Sequence, residues 1–136
     1  MAWVVDTCVL IDIADADPHF GVASAQFLDS KRPSGLLICP VTFVELAPVF
    51  GGDRQAQEDF LFNLDVSCVE PWTDADTNQS YSAWHNYVTT RRLRLTPKRP
   101  LADVLIGAFA QRWDGLQTRN VADFRQIFPN LAMETP

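Results

Sequence analysis

Apolar residues along this chain fall into short unbroken runs, and these alternate with longer stretches in which they recur every three or four positions. Trp3-Val4-Val5, Leu36-Leu37-Ile38-Cys39, Val66-Ser67-Cys68-Val69 and Leu116-Gln117-Thr118 are the short runs. Bulky β-formers crowded together without strict alternation predict strands covered on both faces. Leu131-Ala132-Met133 predicts a last edge strand. Helical spacing predicts a helix after Asp6, with Thr7 at its cap and Val9, Leu10, Ile11 and Ile13 on its core side. Further helices are predicted over residues 19–30, 41–47, 56–64, 73 or 74 to 93, and 101–110, with a short one capped by Asn120. In the helix over 41–47, Pro40 or Val41 occupies the first turn, Thr42 lies near the cap, and Val41, Val44 and Pro48 share one face. In the longest helix, Tyr81, Trp84, Tyr87 and Val88 follow the three-four spacing expected of core or of a subunit contact. Strands alternating with helices over 136 residues predict an α/β fold, a three-layer α/β/α sandwich around a short parallel sheet, in one domain spanning 1–136.

Composition narrows the class. The chain has no apolar run approaching the ~18 residues of a membrane span, and no basic segment ahead of a longer apolar one, so the expected compartment is the cytoplasm. Cys8, Cys39 and Cys68 sit in or beside apolar runs without a CxxC pair, and His19 and His85 are far apart, which argues against zinc or a disulfide framework. The acids Asp12, Asp15 and Asp17 read as a solvated helix end. Net charge is −6, yet five of the eleven Lys and Arg residues fall between Arg91 and Arg99. Arg91 and Arg92 suit the end of the long helix, and Arg94, Lys98 and Arg99 are candidates for holding phosphates.

Four carboxylates stand out by position: Asp6 after the first strand, Glu45 on the helix after the second, Asp103 at a helix start, and Asp123 after the fourth strand. Right-handed crossovers bring helix starts to the carboxyl edge of a parallel sheet, so the four are expected to converge there. Asp103, Gly107 and Gln111 align on one helix face, where Gly107 is expected to leave space above Asp103. Clustered carboxylates without His or Cys suit Mg²⁺ or Mn²⁺, and such ions beside a basic segment match phosphodiester hydrolysis.

At these residues the chain resembles the PIN-domain family, and in particular the toxin ribonucleases of VapBC-type toxin–antitoxin systems. The motifs are Val4-Val5-Asp6-Thr7 followed by Val9-Leu10-Ile11, then Val44-Glu45-Leu46, then Arg99 to Ala108, then Thr118-Arg119-Asn120-Val121-Ala122-Asp123-Phe124. The resemblance implies a Mg²⁺-dependent endoribonuclease, dimeric, acting on RNA in the cytosol and silenced by a small antitoxin protein. It makes Asp6, Glu45 and Asp103 metal-binding acids, with Thr7, Thr118 and Asn120 supporting the site. Many relatives carry an acid where this chain has Asn120. The fourth ligand is then either Asn120, through its carbonyl, or Asp123 from the first turn of the last helix.

Two other readings compete. A PIN-like module that captures RNA or protein without cleaving is favoured by Asn120 and opposed by the retention of three neighbouring acids. An aspartyl-phosphate phosphatase using Asp6 needs a second acid two residues on, and that position holds Cys8.

Overall fold

A computed structural model describes residues 2–92 and 100–136; the side chains of Arg91 and Arg92 lie outside the described part. Five strands form one sheet: β1 (Trp3–Val5), β2 (Leu36–Leu37), β3 (Val66–Ser67), β4 (Gly115–Gln117) and β5 (Met133–Glu134). The helices are α1 (Thr7–Ala14), α2 (Gly21–Lys31), α3 (Pro40–Glu45), α4 (Arg54–Asn63), α5 (Asp74–Arg92), α6 (Leu101–Ala110) and α7 (Val121–Ile127). The strand order is β3-β2-β1-β4-β5, and every pairing is parallel.

The pleat explains why the strand segments read as continuous apolar runs. Val4, Leu37 and Leu116 face one layer, where they meet Val104, Ile106, Phe109 and Phe124 of α6 and α7. Val5, Leu36 and Val66 face the other, against Val9 and Leu10 of α1, Leu28 of α2 and Leu61 of α4. Neighbouring residues of one strand thus bury opposite faces, and no solvent side remains for a polar alternation. This is the predicted α/β/α sandwich.

The chain leaves β1 toward β2 and β3 on one side and returns to β4 on the other. The order reverses between β1 and β4, and open parallel sheets bind ligands outside the carboxyl ends of the strands at such a switch point. Asp6 and Thr118 are the residues that follow those two strands.

Several local expectations are corrected. Asp6, not Thr7, is the N-cap of α1, its carboxylate accepting from Thr7 N–H. In α3 the N-cap is Cys39 and Pro40 is the first helical residue, so Thr42 lies inside the helix. The buried side there carries Thr42, with Leu46 just beyond, while Val44 is 71% exposed. A Cβ on Gly107 would stand 2.3 Å from Phe128 Cε2, so this glycine makes room for the C-terminal segment rather than for Asp103. Strand ends also shift: β4 starts one residue earlier than predicted, β5 lies two residues later, and β2 and β3 stop two short.

Candidate active site

The Asp6 carboxylate is 3% exposed at the carboxyl end of the central strand. It is held from three directions. Thr7 N–H donates to Oδ1 at 2.8 Å, Thr118 Oγ1 donates to Oδ2 at 2.7 Å, and the Cys8 thiol lies 3.3 Å from Oδ2 as a further donor. Burial nevertheless dominates and pushes the Asp6 carboxyl above its ordinary value of 3.8. The three donors lower it in part, and the charge of Glu45 raises it again.

Glu45 comes from the end of α3. Its Oε1 accepts from Thr7 Oγ1 at 2.7 Å, and Thr7 Oγ1 also lies 3.0 Å from the buried Thr42 hydroxyl. The sequence left open whether Glu45 belongs to a solvated stripe. It is an exposed residue whose carboxylate is nonetheless tied to the first turn of α1. Thr7 therefore joins two acids drawn from different elements, donating its backbone N–H to Asp6 and its hydroxyl to Glu45.

Thr118 organises the other wall. Besides donating to Asp6, its hydroxyl accepts from the Asn120 N–H at 2.9 Å. Asn120 sits at the N-cap of α7 without a side-chain capping bond and is exposed. Cys8 is half-buried, and burial together with the charge of Asp6 pushes its thiol up to about 12. It remains a neutral donor at pH 7, which removes it as a nucleophile and as a thiolate ligand.

Asp103 and Asp123 lie in the first turns of α6 and α7 and are half-buried. The topology puts both helix starts at the carboxyl edge. Among the described residues, no three His, Cys, Asp or Glu side chains form a preformed group able to hold a metal ion. What is brought together is the Asp6–Glu45 pair with the hydroxyls of Thr7, Thr42 and Thr118. This donor set is oxygen apart from the protonated thiol, and it contains a buried acid raised by a neighbouring acid. Both features fit a hard dication, whose charge would favour the ionised form of Asp6. Arg94, Lys98 and Arg99, the candidate phosphate contacts, lie outside the described residues.

Two further acids, Asp12 and Asp76, are structural. Asp12, expected in solvent, is 3% exposed and receives a two-pronged bond from Arg119. Asp76 receives the same kind of fork from Arg112, and it forms a reciprocal capping pair with Thr73 at the start of α5. Their partners lie 107 and 36 positions away, beyond the reach of local pattern. The aromatic face of α5 is divided: Trp84 packs against the core, while Tyr81 looks outward. Tyr81 is 78% exposed and, with Val41, Val44, Trp72, Trp84 and Leu101, lines an apolar groove of about 550 Å³ beside α3.

No protein-family model matches the chain, and no curated protein sequence matches it. Solved structures do. A chain of the crystal structure of VapBC2 from Rickettsia felis, bound to a DNA fragment from their promoter, aligns with a TM-score of 0.61 at 16% identity, covering 99% of this chain and 98% of that one. A chain of VapBC-1 from nontypeable Haemophilus influenzae aligns with a TM-score of 0.66 at 19% identity and the same coverage. The chain has the PIN fold.

Proposed function

We propose that this chain is a Mg²⁺- or Mn²⁺-dependent endoribonuclease of the VapC toxin type, working in the cytoplasm and silenced by a small VapB-like antitoxin. The observation that carries this reading is Asp6: a carboxylate buried at the switch point, raised chiefly by that burial, aimed by three donors and with a second acid, Glu45, nearby. Burying one acid and setting a second beside it is costly without a cation. Similarity of the whole chain to two VapBC structures supports the toxin assignment.

In this reading Asp6 and Glu45 hold the ion, and Asp103 and Asp123 approach from the starts of α6 and α7. Bound there, the ion supplies an acidified water and a counter-charge for the phosphate. The protein orients. Thr118 and the Thr7 N–H fix the two oxygens of Asp6, and Thr7 Oγ1 fixes Glu45. Cys8 donates without adding charge. Arg94, Lys98 and Arg99 remain the proposed contacts to the RNA backbone. The antitoxin and a second copy of the chain are the proposed protein partners, and the groove beside α3 offers apolar surface for such a contact.

A non-cleaving module is the second reading, and the exposed, uncharged Asn120 favours it. Incubating the purified chain with structured and single-stranded RNAs, with Mg²⁺ or with EDTA, separates the two. Cleavage lost in EDTA and restored by Mg²⁺ supports the nuclease; retention of RNA without cleavage in Mg²⁺ or Mn²⁺ supports the module. Among the described residues no helix is long and apolar enough to cross a membrane.

A further inference from the structure

The β4–α7 turn meets the start of α1 at Thr118, whose Oγ1 donates to Asp6, and the Asn120 N–H bonds back to Thr118 Oγ1. The Arg119 side chain reaches further along α1. Its Nε donates to Asp12 Oδ2 at 2.6 Å and its Nη2 to Asp12 Oδ1 at 3.0 Å. Asp12 also takes a bond from Ser24 Oγ of α2 at 3.3 Å. The Phe20 ring covers the guanidinium at 4.2 Å, and the Asp17 carboxylate fixes that corner by accepting from the His19 and Phe20 N–H groups.

A planar fork in a buried, two-point ion pair has little freedom to tilt. We propose that the Asp12–Arg119 pair is a positioning device for the Asp6 centre: it clamps the β4–α7 turn onto α1 and so holds the Thr118 hydroxyl against Asp6. Neither residue touches the Asp6 carboxylate, so both act through Thr118. The consequence for catalysis rests on the nuclease reading given above; the clamp itself does not.

The protein carries its own control. Asp76–Arg112 is a pair of the same build, with a buried aspartate and a forked arginine, but it belongs to the α5–α6 layer and touches none of the donors to Asp6. Asp12→Leu/Arg119→Met and Asp76→Leu/Arg112→Met replace each pair without leaving a buried charge. Amide hydrogen exchange at Asn120 and Thr7 reports the clamp, and single-turnover cleavage in saturating Mg²⁺ reports its effect, both well below the melting temperature. The Asp12/Arg119 variant should exchange at least tenfold faster at Asn120 and cleave at least tenfold more slowly, while the Asp76/Arg112 variant keeps wild-type values in both. Unchanged exchange, an unchanged rate, or equal effects in the two variants would overturn the proposal. If the Asp12/Arg119 double variant does not fold, Arg119→Lys, which keeps the charge and loses the fork, is read against the same two measurements. If the wild-type chain cleaves no RNA, the nuclease reading fails, and exchange at Asn120 alone decides whether the clamp exists.

Discussion

Thr118 Oγ1 donates to Asp6 Oδ2 at 2.7 Å across 112 positions of sequence, joining the carboxyl ends of β1 and β4 at the point where the sheet order reverses. Thr118 is fully buried, so its hydroxyl has no water to fall back on. The bond is the most direct link between the fold and the orientation of the acid.

Thr118→Val keeps the shape and removes the donor. A hydrogen bond to a charged group contributes about 2 kcal/mol, so the variant should lose that order of stability. It should also cleave more slowly at saturating Mg²⁺, and Thr118→Ser should restore most of the rate. Urea unfolding and single-turnover cleavage check both halves. Loss of rate in the Ser variant equal to that in the Val variant would show that the hydroxyl is not what matters.

Asp6→Asn separates the cost of the acid from its use. The folded carboxyl titrates above 3.8, so the native state binds a proton that the unfolded chain releases. Stability from this group is therefore present below the ordinary carboxylate range and is lost as pH rises through the raised value. At pH 7 without metal the wild-type chain carries that loss, and Asn, which cannot ionise, does not. The variant should melt higher in EDTA, by about 4 °C for each kcal/mol relieved, and should not cleave RNA. Differential scanning from the acid range to pH 8 checks the sign, because the gap between the two proteins widens as pH rises through the raised value.

The four strand runs and seven helices were legible because parallel strands buried on both faces leave a continuous apolar signature, and because Pro40, Gly51-Gly52 and Pro71 punctuate the rest. Asp6 was legible for the same reason: an acid directly after such a run has nowhere to go but the carboxyl edge. Periodicity does not say which stripe of a short helix is covered. In α3, Thr42 is buried and Val44 is exposed, because the buried side is chosen by the link to Thr7 rather than by hydrophobicity. In α5 the same spacing carries both Trp84, packed against the core, and Tyr81, exposed on an open groove. Asp12 was misjudged because its partner is distant in sequence.

Gly107 gives a test of packing. A methyl group there would meet the Phe128 ring at 2.3 Å, and overpacking a buried site costs about 1–3 kcal/mol. Gly107→Ala should be destabilised by that order despite the better helix propensity of alanine, and Phe128→Leu in the same chain should recover part of it. A stabilised Gly107→Ala would mean that the α6–α7 contact yields easily.

The Asp76–Arg112 pair sets the acid limb of stability. Burial pushes the Asp76 carboxyl up, but the Arg112 guanidinium and the two bonds at Thr73 outweigh it and hold the group below 3.8. A lowered carboxylate contributes stability that is present above the ordinary value and is lost as pH falls through the lowered one. Asp76→Asn should be about 2 kcal/mol less stable than wild type at pH 7, and the difference should close as pH falls below the lowered value. Urea midpoints between pH 7 and pH 2 would show the two curves converging; a constant gap would mean that the aspartate acts by shape alone.

The remaining question at the site is whether Asn120 or Asp123 serves the ion. Asn120 stands at the N-cap of α7, yet its side chain makes no capping bond, and its backbone N–H, which a capping carboxylate at Asp123 would use, donates to Thr118 Oγ1. The helix start is therefore secured from the Thr118 side. A carboxylate lost from a cap costs about 1 kcal/mol of stability and leaves metal affinity alone. A carboxylate lost from a dication's surroundings raises the Mg²⁺ needed for half-maximal cleavage and leaves the melting temperature nearly unchanged. We expect the second pattern for Asp123→Asn. Asn120→Asp is the complement: it adds a charge at an exposed position beside Thr118, and it should lower the Mg²⁺ requirement if that side chain faces the ion. Calorimetric titration with Mn²⁺ reads both variants without relying on turnover. If Asn120→Asp leaves the titration unchanged and Asp123→Asn costs only stability, the ion is served by Asp6, Glu45 and Asp103 without a fourth side chain.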